Sequence, residues 1–306
     1  MFIARHYKLF ISISLIVVVL VIGATIWHRP SLGIDFTGGS VLEVSYDTSV
    51  DQPTQDMIQS VAQNIAPKST IAVRALGNGG WSVATPFLTA EEHTKLLSDL
   101  SFADKYKPTE ELFSSVGPSV GQELKQKALW AIGLVALAII LFVAFAFRKV
   151  SKPVSSWLYG VSAIIALLHD VAVPTGVFAI ISVYTTAEVN VLFVTALLAI
   201  FGFSVNDTIV VFDRIRENLR KNQESHTRED FVETVGHSLS QTYGRSLNTS
   251  LTTALALAAL FFFGGPATHY FALTLLIGII AGTYSSIFLA SPLLILFSKI
   301  FHGKEI

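Results

Sequence analysis

The chain contains no cysteine. Disulfides, thiolate metal sites and a thiol nucleophile are therefore excluded, while the redox compartment is left open. Charge is scarce as well: Asp, Glu, Lys and Arg make up 14% of the 306 residues, against roughly a quarter in an ordinary soluble domain. The charges nearly cancel, at −1 net, and no basic stripe stands out, so no nucleic-acid partner is expected. Apolar residues dominate, at 52%, with a mean hydropathy of +0.59. They gather in long uncharged runs, which places the chain among membrane proteins before any motif is read.

A membrane helix needs about 20 apolar residues. Six stretches qualify: Leu9–Trp27, Ala128–Phe147, Ser156–Tyr184, Val189–Phe212, Ser246–Phe263 and Tyr270–Phe297. The first is expected to be an uncleaved anchor. Its apolar run is longer than that of a signal peptide, and Ile26-Trp27-His28-Arg29-Pro30 makes a poor cleavage site. Orientation follows the basic residues. Arg5 and Lys8 precede the first span, and Arg148, Lys149 and Lys152 follow the second. Arg214, Arg216, Arg220, Lys221 and Arg228 follow the fourth, and Lys299 and Lys304 follow the sixth. If the spans alternate, all four sets fall on one side, which the positive-inside bias assigns to the cytoplasm. Residues 1–29 then form a cytoplasmic N-terminus and first span, and 30–127 an external domain. Residues 128–298 hold five spans with a cytoplasmic loop at 213–243, and 299–306 form a cytoplasmic tail. Lipid is the solvent for the spans.

The external segment has soluble composition. Ser40-Val-Leu-Glu-Val-Ser-Tyr46 alternates like a strand, and Met57, Ile58, Val61 and Ile65 recur at helical spacing. Ser69–Ala75 and Gly80–Thr85 flank the turn Gly77-Asn-Gly-Gly80, a hairpin signal. Thr89-Ala-Glu-Glu92 reads as a helix start with Leu96, Leu97 and Leu100 on its apolar face, and Thr109–Val116 is extended. The order β-α-β-β-α-β predicts a ferredoxin-like α+β domain inserted between the first two spans of a six-helix membrane bundle. No His, Asp or Glu grouping has metal or hydrolase spacing. A binding or mechanical domain is expected rather than an enzyme, with no cofactor. Gly38 and Gly39, between the first span and the first strand, point to positive φ or close backbone approach.

Ionisable side chains inside a span are costly, so each is a functional candidate. Asp207 lies five residues before Phe212, on the order of 7–8 Å inside the span's end at the helical rise. Arg245 enters from the same side at similar depth. An acid that can be protonated beside a permanent cation suits a proton relay, with Asn206 and Thr208 as supporting polar groups. A static ion pair between two helices remains the alternative. Asp170, beside His169 near the middle of the third span, invites the same two readings, as a relay group or a satisfied polar contact. Asp213 and Arg214 mark the cytoplasmic boundary, where such charges snorkel to headgroups. Phe231, Val232, Val235 and Leu239 recur at helical spacing, predicting an interfacial helix before the fifth span. Small residues in the last two spans, among them Ser246, Ser250, Gly278, Gly282, Ser285 and Ser286, allow close helix approach.

Several of these segments carry a resemblance. Gly33-Ile-Asp-Phe-Thr-Gly-Gly-Ser40, Ser115-Val-Gly-Pro-Ser-Val-Gly121, Ser204-Val-Asn-Asp-Thr-Ile-Val-Val-Phe-Asp-Arg-Ile-Arg-Glu-Asn218, Gln241–Thr253 and Gly282-Thr-Tyr-Ser-Ser286 resemble, in the same order, the motifs of the SecD/SecF family. The resemblance runs from Lys8 to Ser298. It implies a half-transporter of the resistance-nodulation-division (RND) superfamily in the bacterial cytoplasmic membrane. Its six spans would pair with six from SecD and use the proton gradient to help draw preprotein outward. It further implies the SecYEG channel and the SecA motor as partners, with YajC as another candidate. The family's intramembrane acid–arginine pair falls on Asp207 and Arg245. The seam with SecD is expected on the fourth to sixth spans, with Phe201, Ser204 and Thr208 along it. A structural scaffold, and a small-molecule exporter half of the same superfamily, are the competing readings. The exporter would require larger external domains and a twelve-span chain.

Overall fold

The computed structural model describes residues 2–301 apart from 48–50, 68, 70, 78, 148–154, 227 and 228. Arg148, Lys149, Lys152, Arg228 and Lys304, used above for orientation, lie outside the described residues, as do Thr70 and Asn78. The chain divides into two compact units. One is helical (Met1–Pro30, Trp130–Val183, Leu192–Ile306); the other carries the sheet (Ser31–Leu129, Tyr184–Val191).

The chain opens with a short helix α1 (Phe2–Arg5) and the first long helix α2 (Tyr7–His28). A helical turn α3 (Ile34–Thr37) then leads into β1 (Gly39–Ser45), α4 (Gln55–Ile65), β2 (Ala72–Gly77), β3 (Gly80–Thr85), α5 (Ala90–Asp99) and β4 (Thr109–Val116). The sheet is antiparallel in the order β2-β3-β1-β4, which is the ferredoxin-like topology. Along β1, Leu42 and Val44 are buried between less buried neighbours, as the alternation requires. They pack with Ile58 and Ala62 of α4 and Leu96 and Leu100 of α5 in one core. A capping box starts α5: the Thr89 hydroxyl accepts from Glu92 N–H while the Glu92 carboxylate accepts from Thr89 N–H.

The remaining helices are α6 (Pro118–Ala146), α7 (Ser156–Tyr184), α8 (Val191–Glu224), α9 (Phe231–Phe263), α10 (Pro266–Ser285) and α11 (Ser291–Phe301). A π-helical turn, Ser286–Ala290, joins the last two. Pro292 has no N–H for the carbonyl one turn back, so the helix widens there instead of continuing regularly. Among the described residues, six helices are long and apolar enough to cross a membrane, with α10, the π turn and α11 counting as one. The helices α7, α8 and α10–α11 form the interior of the helical unit, whereas few residues are buried along the apolar stretches of α2, α6 and α9. An apolar helix left bare needs lipid or another protein around it.

Two expectations change. The 213–243 stretch is not a loop with a separate interfacial helix. α8 continues to Glu224, and Phe231, Val235 and Leu239 are buried in the first turns of α9, within the main helical core. The same apolar spacing serves an interfacial helix and a packed one, and Asn218 Nδ2 donating to Ser238 Oγ (2.8 Å) shows which neighbour it has. The fourth span also starts later than Val189, because residues 184–191 belong to the sheet unit. There Val189 pairs in parallel with Leu32.

Candidate functional site

The intramembrane polar residues gather within the helical unit on α7, α8, α9 and α10. Asp170 is fully buried. Its Oδ2 accepts from Ser204 Oγ of α8 (2.5 Å) and from Ser285 Oγ of α10 (2.6 Å), and His169 Nδ1 lies 2.8 Å from Oδ1. One carboxyl group thus ties three helices together. Pro174 sits four residues further along α7 and has no N–H to offer the Asp170 carbonyl, which loosens the helix beside this node. Gly282 leaves the space: a Cβ there would stand 3.4 Å from Ser204 Cβ and 3.7 Å from Asp170 Oδ2. His169 Nε2 is buried without a partner among the described residues.

Asp207, one turn beyond Ser204, is half-buried. Its Oδ1 accepts from Ser246 Oγ of α9 (2.6 Å), and its buried Oδ2 has no hydrogen-bond partner among the described residues. Thr208 Oγ1 lies 3.0 Å from Ser286 Oγ in the π turn. A cavity of about 130 Å³ adjoins this group, lined by Asn206, Asp207, Arg245, Thr249, Ser250 and Thr283 among others. Its far wall is fastened by Thr283 Oγ1 donating to Ser250 Oγ (2.5 Å). Arg245 is exposed and makes no ion pair among the described residues. The acid and the cation therefore face one polar space, and serine hydroxyls take the place of direct contact.

Asp213 and Arg214 lie further along α8. Asp213 pairs loosely with Arg216 (3.8 Å), while Arg214 reaches Glu217 (2.6 Å) and Gln241 Oε1 of α9 (2.5 Å). In the sheet unit, Gly38 and Gly39 have φ of +72° and +131°. A Cβ would stand 2.8 Å from Pro118 Cα at the first and 2.8 Å from the Thr85 carbonyl oxygen at the second.

Sequence comparison adds a family assignment. The model of the SecD/SecF protein-export membrane proteins, C-terminal region, matches residues 98–300, and that of the SecD/SecF GG motif matches residues 29–50. The chain belongs to the SecD/SecF family. Protein translocase subunit SecF of Thermobaculum terrenum is 45% identical over 276 residues, spanning 86% of this chain and 83% of that protein. The SecF subunit of Haemophilus influenzae is 37% identical over 265 residues, spanning 84% and 74%. Among solved structures, the crystal structure of SecDF from Thermus thermophilus, a translocon-associated membrane protein, superposes with a TM-score of 0.78 at 30% identity. That match covers 96% of this chain but 38% of the longer one. The chain is a multi-pass membrane protein of this family, and the stretch around Gly38 and Gly39 is its GG motif.

Ser246, Ser285 and Ser286 read from the sequence as small residues for packing, yet Ser246 donates to Asp207, Ser285 donates to Asp170, and Ser286 shares a hydrogen bond with Thr208. Ser204 reads from the sequence as part of a motif and as a seam position, not as a partner of Asp170. Its position three residues before Asp207 was the available signal, since that spacing puts both on neighbouring turns of one face. The structure also buries Phe201, Ser204 and Thr208 inside the chain's own helical unit. They do not lie along an open seam as expected; the exposed face of this helix carries Phe203 and Asn206.

Proposed function

We propose that the chain is the SecF-type subunit of a bacterial Sec translocase and uses the proton gradient to assist polypeptide export. It is not an enzyme in this reading. It pairs with SecD beside the SecYEG channel and SecA, with YajC as a further partner, in the cytoplasmic membrane. Both termini and the α8–α9 connection lie in the cytoplasm, and the sheet unit lies outside, where the preprotein emerges. The similarity to SecF subunits and to SecDF supports this role.

The observation that carries the mechanism is Asp207: an acid within an apolar helix, one oxygen buried without a hydrogen bond among the described residues, beside a polar cavity it shares with Arg245. Ionised, the carboxylate attracts Arg245 across the cavity; protonated, it loses that attraction and gains a donor. The two states favour different packings of α8 against α9. One proton crossing supplies about 2.3 kcal/mol per 100 mV, which matches the few kcal/mol that separate ordinary conformers. Asp170 differs. Its three close partners favour a fixed tie among α7, α8 and α10 over proton carriage, so the scaffold reading applies to that residue.

Asp207→Asn tests the proposal in vesicles that hold the complete translocase. The variant is expected to insert and assemble normally and to lose the part of export that an imposed proton gradient stimulates. Undiminished stimulation would overturn the relay.

A further inference from the structure

The segment Tyr184–Val191 runs from the last residue of α7 to the first of α8, with six residues between the two helices, and it is fastened within the sheet unit at three places. Gly33 N–H donates to the Val189 carbonyl and Val189 N–H donates to the Ser31 carbonyl, both at 2.9 Å. Arg74 Nη1 of β2 pairs with Glu188 Oε1 at 3.1 Å, and Glu188 is the better buried partner. Asp35 Oδ2, from α3, accepts the N–H of Val191 at 2.9 Å.

The third contact has particular leverage. Val191 is the first residue of α8, where the backbone N–H groups have no partner within the helix and the dipole is positive. A carboxylate from a distant part of the sequence supplies the cap. Helix α8 is unbroken from there to Asp207, sixteen residues on, or about 24 Å of rod. Helix α7, which carries Asp170, ends at the other side of the same connection. The fastenings reach both α3 and β2.

We propose that Tyr184–Val191 is a fixed coupling that transmits displacement of α7 and α8 to the sheet unit, with Asp35, Arg74 and Glu188 as its positioning residues. The proposal rests on the proton-driven reading above. It assigns a role to Asp35 of the Gly33–Ser40 stretch, whose side chain otherwise has no task in the sheet.

The test uses the full translocase in vesicles. Arg74→Glu and Glu188→Arg each set like charges against one another, and the double exchange restores opposite charges. Because the chain has no cysteine, Leu32→Cys with Val189→Cys reports the state of the connection by oxidative crosslinking. Each single reversal, and Asp35→Ala, is expected to lower crosslinking and to reduce gradient-stimulated export about fivefold or more, the lower range of ordinary coupling between sites. Gradient-independent export and subunit abundance stay unchanged, and the double exchange recovers both readouts. The crosslinked Leu32→Cys/Val189→Cys protein is expected to keep its stimulation, since a fixed coupling need not open. Full stimulation in a variant that no longer crosslinks, or loss of stimulation on crosslinking, would overturn the proposal. Asp207→Asn measured alongside separates the two ideas. If it keeps its stimulation the relay reading falls, while loss in the charge-reversed variants alone still supports the coupling.

Discussion

About 100° of helical rotation separates Arg245 from Ser246, and that rotation decides which of them touches Asp207. Sequence spacing placed Asp207 and Arg245 at similar depth, but depth leaves rotation undetermined, and the hydroxyl next door takes the contact. The paired glycines were more legible, because positive φ and close approach both exclude a side chain. Gly39→Val places a branched Cβ at φ +131° and 2.8 Å from a backbone oxygen of β3. It is expected to destabilise the sheet unit by about 2 kcal/mol or more, seen as a lower unfolding midpoint of the purified chain. Glu43 supplies a pH dependence. Burial, and then the neighbouring Glu111, hold its carboxyl above the ordinary 4.5. The folded chain therefore binds this proton more tightly than the unfolded chain does. The contribution is full at pH below 4.5 and fades as pH rises through the elevated range. Glu43→Gln is expected to flatten that part of the stability profile, followed by Trp81 fluorescence with Trp27, Trp130 and Trp157 replaced by Phe.

At the scale of elements, two glycines make a paired prediction about how the helices meet. A Cβ at Gly278 of α10 would stand 2.2 Å from Ile200 Cδ1 of α8, whereas one at Gly176 of α7 would stand 2.5 Å from the backbone oxygen of Val21 in α2. Both Gly→Ala changes are expected to cost about 1–3 kcal/mol through overpacking. Ile200→Ala should recover part of the loss at Gly278, because a side chain is in the way. Val21→Ala should recover little at Gly176, because backbone is in the way. Thermal unfolding in detergent of the single and double variants measures the difference. The sheet elements were readable from the sequence because alternation, a glycine turn and a capping box agree there. The membrane helices were readable in number but not in length. α6, α8 and α9 run on as polar, self-pairing helix beyond the apolar stretch, which hydropathy alone does not register. The Tyr184–Val191 connection was invisible, because its attachment is made of backbone bonds and two ion-like contacts that impose no local pattern.

Within the helical unit, α2, α6 and α9 leave most of their apolar stretches unburied. Single cysteines at Phe203, Asn206, Leu251 and Leu255, all exposed, are expected to crosslink to SecD in oxidised membranes. Cysteines at Phe201, Ser204 and Thr208 are expected not to, since the chain's own helices cover them. Crosslinks found only between copies of this chain would replace the SecD pairing with a homo-oligomer.

Arg245, exposed and without an ion pair among the described residues, bears on supply as well as on transport. A copy of the chain that finds no companion must keep that charge wet within an otherwise apolar belt, a state with few stable solutions in lipid. On the proposed reading, such copies are poor at persisting, and the number of subunits that endure follows the number of companions made.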